Sequence, residues 1–151
     1  MPVEIVRGNL FESRADALVN PVNCVGVSGK GLAKAFARRF PFAQKTYEWS
    51  CRSGNFKIGS VLEVAGDPDG TAPFVLFFPT KDHWRNPSRR EYIAEGLIQL
   101  REVIRTSRYK TVAVPALGCG LGGLSWEWVR PAIVEALASL DTKTMVYAPV
   151  E

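Results

Sequence analysis

Short apolar runs rich in β-branched residues recur along the chain at Val3–Val6, Ala17–Val22, Val61–Ala65, Phe74–Pro79, Thr111–Pro115 and Thr144–Ala148. Gly, Pro, Asn or Asp bound them, so six strands are predicted. Elsewhere the apolar spacing becomes helical. Leu32, Phe36 and Phe40 share one face, Ile93, Leu97, Leu100 and Ile104 a second, and Val129, Ile133, Leu137 and Leu140 a third. A fourth helix is predicted from Pro41 to about Cys51, because proline ends one helix and suits the first position of the next. The order strand, strand, helix, helix, strand, strand, helix, strand, helix, strand favours an α/β fold with a mixed six-stranded sheet covered on both faces, a three-layer α/β/α sandwich. Phe74-Val-Leu-Phe-Phe78 and Thr111-Val-Ala-Val114 are almost continuously apolar, as strands buried on both faces are, and should be central. Gly66-Asp-Pro-Asp-Gly70 reads as a turn.

Composition fits one domain over residues 1–151: 46% of the residues are apolar and 23% charged. Such a piece can also be the N-terminal enzymatic part of a longer chain. No apolar run approaches 18 residues, and Glu4 and Arg7 interrupt the start, so neither a membrane span nor a secretory signal is expected. Residues 1–110 hold 17 basic and 11 acidic side chains, whereas residues 111–151 hold 2 and 4. This early basic excess is compatible with an anionic partner. Cys24, Cys51 and Cys119 form no CxxC pair, and His83 is the only histidine, so no metal site is predicted. Sparse, odd thiols suit a reducing compartment, and an intracellular, cytoplasmic location is the expectation.

In open sheets of this kind, ligands sit beyond the carboxyl ends of the strands. Two glycine-rich strand-to-helix loops fall there, Asn23-Cys-Val-Gly-Val-Ser-Gly-Lys-Gly31 and Gly118-Cys-Gly-Leu-Gly-Gly123. Glycine lets backbone amides approach a ligand, and the helix that follows adds unpaired N–H groups, so such loops can hold phosphate oxygens. Neither is a Walker A sequence or a dinucleotide fingerprint, which removes support for nucleotide hydrolysis and hydride transfer. The plainer reading is that these glycines only make tight turns.

The segments Arg7-Gly-Asn-Leu-Phe11, Ala15-Asp-Ala-Leu-Val-Asn-Pro-Val-Asn23, Gly29-Lys-Gly-Leu-Ala33 and Pro115-Ala-Leu-Gly-Cys-Gly-Leu-Gly-Gly123 resemble a macrodomain over nearly the whole chain. The resemblance implies ADP-ribose binding, with Gly118, Cys119, Gly120, Leu121, Gly122 and Gly123 around the diphosphate. It places Asn23, Gly29, Lys30 and Gly31 near the distal ribose, and Asn9 and Leu10 toward the adenosine. Gly29-Lys-Gly-Leu-Ala33, Pro79-Thr-Lys81 and the run from Gly118 to Trp126 are similar to the lysine-dependent ADP-ribosyl hydrolases, and within them to DarG-type antitoxin macrodomains. The implied activity is release of ADP-ribose from thymine in single-stranded DNA, with a DarT-like toxin as partner, no cofactor and no membrane. The same branch includes the human terminal ADP-ribose glycohydrolase, and two positions depart from what the resemblance implies: Gly122 stands where that human-type enzyme has an acidic residue, and Asn9 replaces the family's usual Asp. A hydrolase for ADP-ribose on protein acids, or a reader without turnover, are the alternatives.

Glycosidic hydrolysis is usually served by two carboxylates, and neither glycine loop supplies one. The reactive candidate is Lys81, which directly follows a buried strand. A neutral amine there can attack the anomeric carbon or an opened-ring aldehyde, and a charged one can stabilise developing negative charge. From spacing alone Lys81 is an ordinary solvated lysine; the resemblance implies catalysis. Lys81-Asp-His-Trp-Arg-Asn-Pro-Ser-Arg-Arg90 combines four cations and one acid with Trp84. It reads either as a single-stranded DNA contact or as a solvated loop before a helix capped by Ser88, with Trp84 on the core edge. Trp126 and Trp128 read as packing residues, as do Cys24 and Cys119.

Overall fold

The computed structural model describes residues 2–66 and 72–150. The strands are β1 (Val3–Val6), β2 (Ala17–Asn23), β3 (Leu62–Ala65), β4 (Phe74–Lys81), β5 (Thr111–Val114) and β6 (Lys143–Tyr147), and the helices are α1 (Gly31–Arg39), α2 (Pro41–Arg52), α3 (Arg90–Thr106) and α4 (Trp126–Leu137). They form one mixed sheet in the order β1-β6-β5-β2-β4-β3, in which every pair is parallel except β3 with β4. This is the α/β/α sandwich expected. The carboxyl ends of β1, β6, β5, β2 and β4 therefore lie along one edge of the sheet.

Alternation along β4 builds the two cores. Leu76 and Phe78 point into a cluster with Ile93, Leu97 and Leu100 of α3 and Val129 and Ile133 of α4. Val75 and Phe77 point the other way, to Phe36 of α1, Ala43 and Tyr47 of α2, and Phe40 between those helices. Glycine at position 96 lets α3 lie directly on the sheet, since a Cβ there would stand 2.3 Å from Phe78 Cζ. Phe40 closes α1 with its N–H on Phe36 O at 2.8 Å and starts α2 by accepting from Gln44 N–H at 3.0 Å, with Pro41 at the first helical position.

Some boundaries moved. β2 and β4 run further than their apolar cores, to Asn23 and Lys81, because these two residues are paired across the parallel ladder. Leu140 lies beyond α4 and is buried in the turn that follows it. Ser88 is not a helix cap: α3 begins from Arg89 without a side-chain cap. Most of the turn expected at Gly66–Gly70 falls on residues 67–71, outside the described residues.

Candidate active site

Parallel pairing of β2 with β4 brings their ends together, so Asn23 and Lys81 are register partners at the edge of the sheet. Three loops leave this edge and touch one another. Cys24 N–H donates to Asp82 O at 3.3 Å, tying the β2 loop to the β4 loop, and Ser88 N–H donates to Gly122 O at 3.0 Å, tying the β4 loop to the β5 loop. Leu121 closes the ring, its Cδ1 lying 3.5 Å from where a Cβ on Gly31 would stand. Both glycine loops thus border one crevice, with Lys81 at the end of β4, beside the β2 loop and on its side away from β5.

The β5 loop is folded by its own main chain. Cys119 N–H donates to Ala116 O, Gly123 N–H to Gly120 O and Leu124 N–H to Gly118 O. Gly118 must be glycine, at φ 76° with Leu124 Cδ1 only 2.8 Å from a notional Cβ. The N–H groups of Gly120, Leu121 and Gly122 donate to nothing among the described residues. Three consecutive free amides suit an anion. Cys119 offers neither group, for its N–H is used within the turn and its thiol contacts Leu117 O at 3.7 Å. Across the crevice, α1 starts at Gly31 from Lys30 with no side-chain cap, so its first amides are open as well.

The β2 loop is built around Asn23. Its Oδ1 accepts from Val25, Gly26 and Val27 N–H at 3.0, 3.1 and 3.4 Å, and its Nδ2 donates to Val27 O at 2.8 Å. Tyr47 Oη donates to Asn23 O at 2.7 Å, with Asn23 Oδ1 3.0 Å away. The side chain expected to orient a ribose is therefore mainly a scaffold that shapes its own loop, and one Nδ2 hydrogen is what it retains for a ligand. Burial pushes the Tyr47 hydroxyl above its ordinary range, so it stays a donor.

Lys81 is half-buried and has no ion-pair partner among the described residues. The neighbouring Asp82 turns its carboxylate to its own loop, accepting from His83 N–H at 2.7 Å and Asn86 Nδ2 at 3.2 Å. The Asn86 hydrogen bond, above all, holds its pKa below the usual carboxylate range. Trp84 is 47% exposed rather than tucked into the core, with Arg85 Cζ 4.8 Å above its ring and the His83 ring 5.3 Å away.

The Macro domain family model matches residues 19–133, a span that contains all three loops. The chain belongs to the macrodomain family. This macrodomain is similar to the macrodomain of Mycobacterium tuberculosis DarG, with a TM-score of 0.95 and 42% identity over 98% of each chain. Thermosipho africanus DarTG in complex with ADP-ribose matches at a TM-score of 0.92 and 34% identity, over 98% of this chain and 42% of that one. In sequence it is 45% identical over 150 residues to a Thermus aquaticus DNA ADP-ribosyl glycohydrolase, a match spanning 99% of this chain but 42% of that protein.

At the far end of the macrodomain's edge, Asn9 and Leu10 follow β1. Asn9 is exposed, and its Oδ1 accepts from Phe11 N–H at 2.9 Å, which leaves Nδ2 open. Leu10 has its side chain in the core, 5% exposed among Phe36 and Phe40, so only its main chain faces outward. Gly122 is glycine because a Cβ would sit 2.2 Å from Ser88 Oγ and 2.5 Å from Gly118 O, which explains why no carboxylate stands there. Sequence reasoning missed Tyr47 and saw Ser88 only as a helix cap, whereas both hold the loops from behind. Tyr47 could have been found, since it shares a helical stripe with Phe40 and Ala43 directly before the Asn23 loop's partner helix ends. Burial pushes the Cys24 thiol up to about 12 and the Cys119 thiol up to about 11, so neither is a ready nucleophile.

Proposed function

We propose that this macrodomain binds the ADP-ribose of modified single-stranded DNA, hydrolyses its bond to thymine and counters a DarT-like DNA ADP-ribosyltransferase. The observation that carries the reading is the pairing of Lys81 with Asn23 beside the open amides of Gly120–Gly122 and of the α1 start. In this reading adenosine lies at Asn9 after β1, diphosphate at Gly118–Gly123 after β5, distal ribose at Asn23–Gly31 after β2, and the reacting carbon at Lys81 after β4, a layout that the strand order supports. Four strand intervals of about 4.8 Å give roughly 19 Å, the reach of a dinucleotide-sized group. The Thermosipho africanus DarTG with bound ADP-ribose and the Thermus aquaticus glycohydrolase support both ligand and reaction. Because this chain spans under half of that glycohydrolase, contacts to a transferase belong to residues outside it as readily as within it. A cytoplasmic location goes with such a substrate.

The open amides of the β5 loop and of the α1 start supply affinity, and the amine supplies rate. Water delivers its hydroxyl to the anomeric carbon and its proton to the departing base. Lys81 either adds reversibly to the opened sugar as a neutral amine or steadies the departing base as an ammonium group, and reductive trapping of a sugar adduct on Lys81 separates the two. Lys81→Ala should lower release of ADP-ribose from thymidine oligonucleotide by about 100-fold or more while leaving ADP-ribose affinity within about 3-fold. Single-turnover release and calorimetric titration measure the two quantities. Undiminished release would remove the lysine from the mechanism, and faster release from modified glutamate than from modified thymidine would redirect the substrate to protein.

A further inference from the structure

The outer face of α2 is not explained by the site or by the core. Ala43, Gln44, Tyr47 and Ser50 form its buried stripe. On the opposite side, Phe42, Lys45, Trp49 and Arg52 fall at spacings of three, four and three residues and so make one exposed stripe. Phe42 is 80% exposed and Trp49 61%, unusual for rings of that size, and Lys45 Nζ lies 5.9 Å from the Phe42 ring centroid. Lys45, Thr46, Glu48, Trp49 and Arg52 line an open groove there. Glu48 is the one acid in residues 24–57, which hold seven Lys and Arg, and its carboxylate accepts from Gln44 Nε2 at 3.1 Å.

This stripe is continuous with the crevice. Gln44 Nε2 also donates to Ser28 Oγ at 3.0 Å, and a Cβ on Gly26 would lie 3.5 Å from both Cys51 Cβ and Glu48 Cα. The β2 loop therefore rests on α2, and Cys24 in that loop touches Asp82, next to Lys81. The β2 loop thus lies between Asp82 and the α2 residues Glu48 and Cys51, next in sequence to Trp49 and Arg52.

Resting on the reading above, we infer that the exposed α2 stripe is a binding track for the single-stranded DNA that flanks the modified base. Aromatic faces at intervals between cations match a polymer of stackable bases on a phosphate backbone, without sequence preference. A protein partner would meet the same rings, but Lys45 and Arg52 together favour a polyanion, and the charge decides for DNA.

The test compares three ligands: free ADP-ribose, ADP-ribosylated thymidine nucleoside, and a single-stranded oligonucleotide of about 20 nucleotides with one ADP-ribosylated thymidine. Wild-type protein should bind the modified oligonucleotide at least about 10-fold more tightly than the modified nucleoside. Phe42→Ala with Trp49→Ala should remove most of that preference. Lys45→Gln with Arg52→Gln should reduce it and lower the slope of log affinity against log salt by about 1.4, the value for two lost phosphate contacts on a single strand. Both double variants should keep wild-type affinity for ADP-ribose and wild-type turnover of the nucleoside, which shows the fold and site intact. Variants that retain the full length preference and salt slope overturn the track, as does a wild type without length preference. Failure of wild-type turnover on the nucleoside is a different result, because it removes the DNA reading itself.

Discussion

The two ends of the sheet are built to opposite rules. At the amino end, polar groups answer one another. Asp16 Oδ2 accepts from Lys110 N–H at 2.7 Å and Thr111 N–H at 3.2 Å, Asp16 N–H donates to Thr111 O, and Lys143 N–H donates to Lys110 O. At the carboxyl end, the loops are fastened to each other by single bonds from Cys24 and Ser88, while Gly120, Leu121 and Gly122 keep their amides open. Hydrogen bonds made internally stabilise the fold, whereas donors withheld from the fold are available to a ligand. The two ends should therefore report in different measurements, one in unfolding and the other in binding.

Gly120 tests the carboxyl end most severely. A Cβ there meets nothing within 4 Å, and its φ is not positive, so the protein tolerates a side chain. Gly120→Leu should unfold within about 2 °C of wild type, yet lose ADP-ribose affinity by about 30-fold or more, equivalent to about 2 kcal/mol. Unchanged affinity by titration calorimetry would break the assignment of this loop to the diphosphate. Gly122 is the useful contrast, because its neighbours Ser88 and Gly118 leave no room for a side chain at all.

Asp16 tests the other end. Asp16→Ala removes the acceptor of two main-chain donors and should cost about 1–2 kcal/mol of stability, seen as an earlier midpoint in urea. ADP-ribose affinity measured on the folded variant should stay at the wild-type value. A loss of affinity comparable with that of Gly120→Leu would show that the two ends are not separable.

The fold was legible because its elements carry strong periodicities: the apolar run Phe74–Phe78 could only be a doubly buried strand, and Leu32, Phe36 and Phe40 only a helix face. The site was legible as far as glycine pattern and strand ends reach, which located both loops and Lys81. The contacts that fasten the loops were not. Leu10 was assigned outward although its side chain completes the core, because β1 is followed by a turn whose direction the residue types do not specify. Ser88 was read as a helix cap from its position, but its Oγ is buried without a partner beside Gly122 and its N–H holds the β5 loop instead. Asn23 carried a cue that was available: an Asn ahead of Val25, Gly26 and Val27 commonly captures the following amides, which predicts a loop scaffold before it predicts a ligand contact.

Tyr47 is where the two rules meet, since it is fully buried in the core yet hydrogen bonded to the site loop. Tyr47→Phe deletes one hydroxyl and keeps the ring stacked on Phe77, with centroids 4.9 Å apart and planes 7° from parallel. The apolar packing stays, and the Asn23 carbonyl loses its buried donor. The expected stability loss is about 1 kcal/mol, the usual worth of such a bond. Because the same hydroxyl lies beside Asn23 Oδ1, which gathers three loop amides, the β2 loop should loosen and ADP-ribose affinity fall by about 2- to 5-fold, less than 1 kcal/mol. Both numbers are small, and their conjunction is the point. Asp16→Ala should move stability alone and Gly120→Leu affinity alone, so a Tyr47→Phe variant that moves only one of the two would show that Asn23 holds its loop without help from the core.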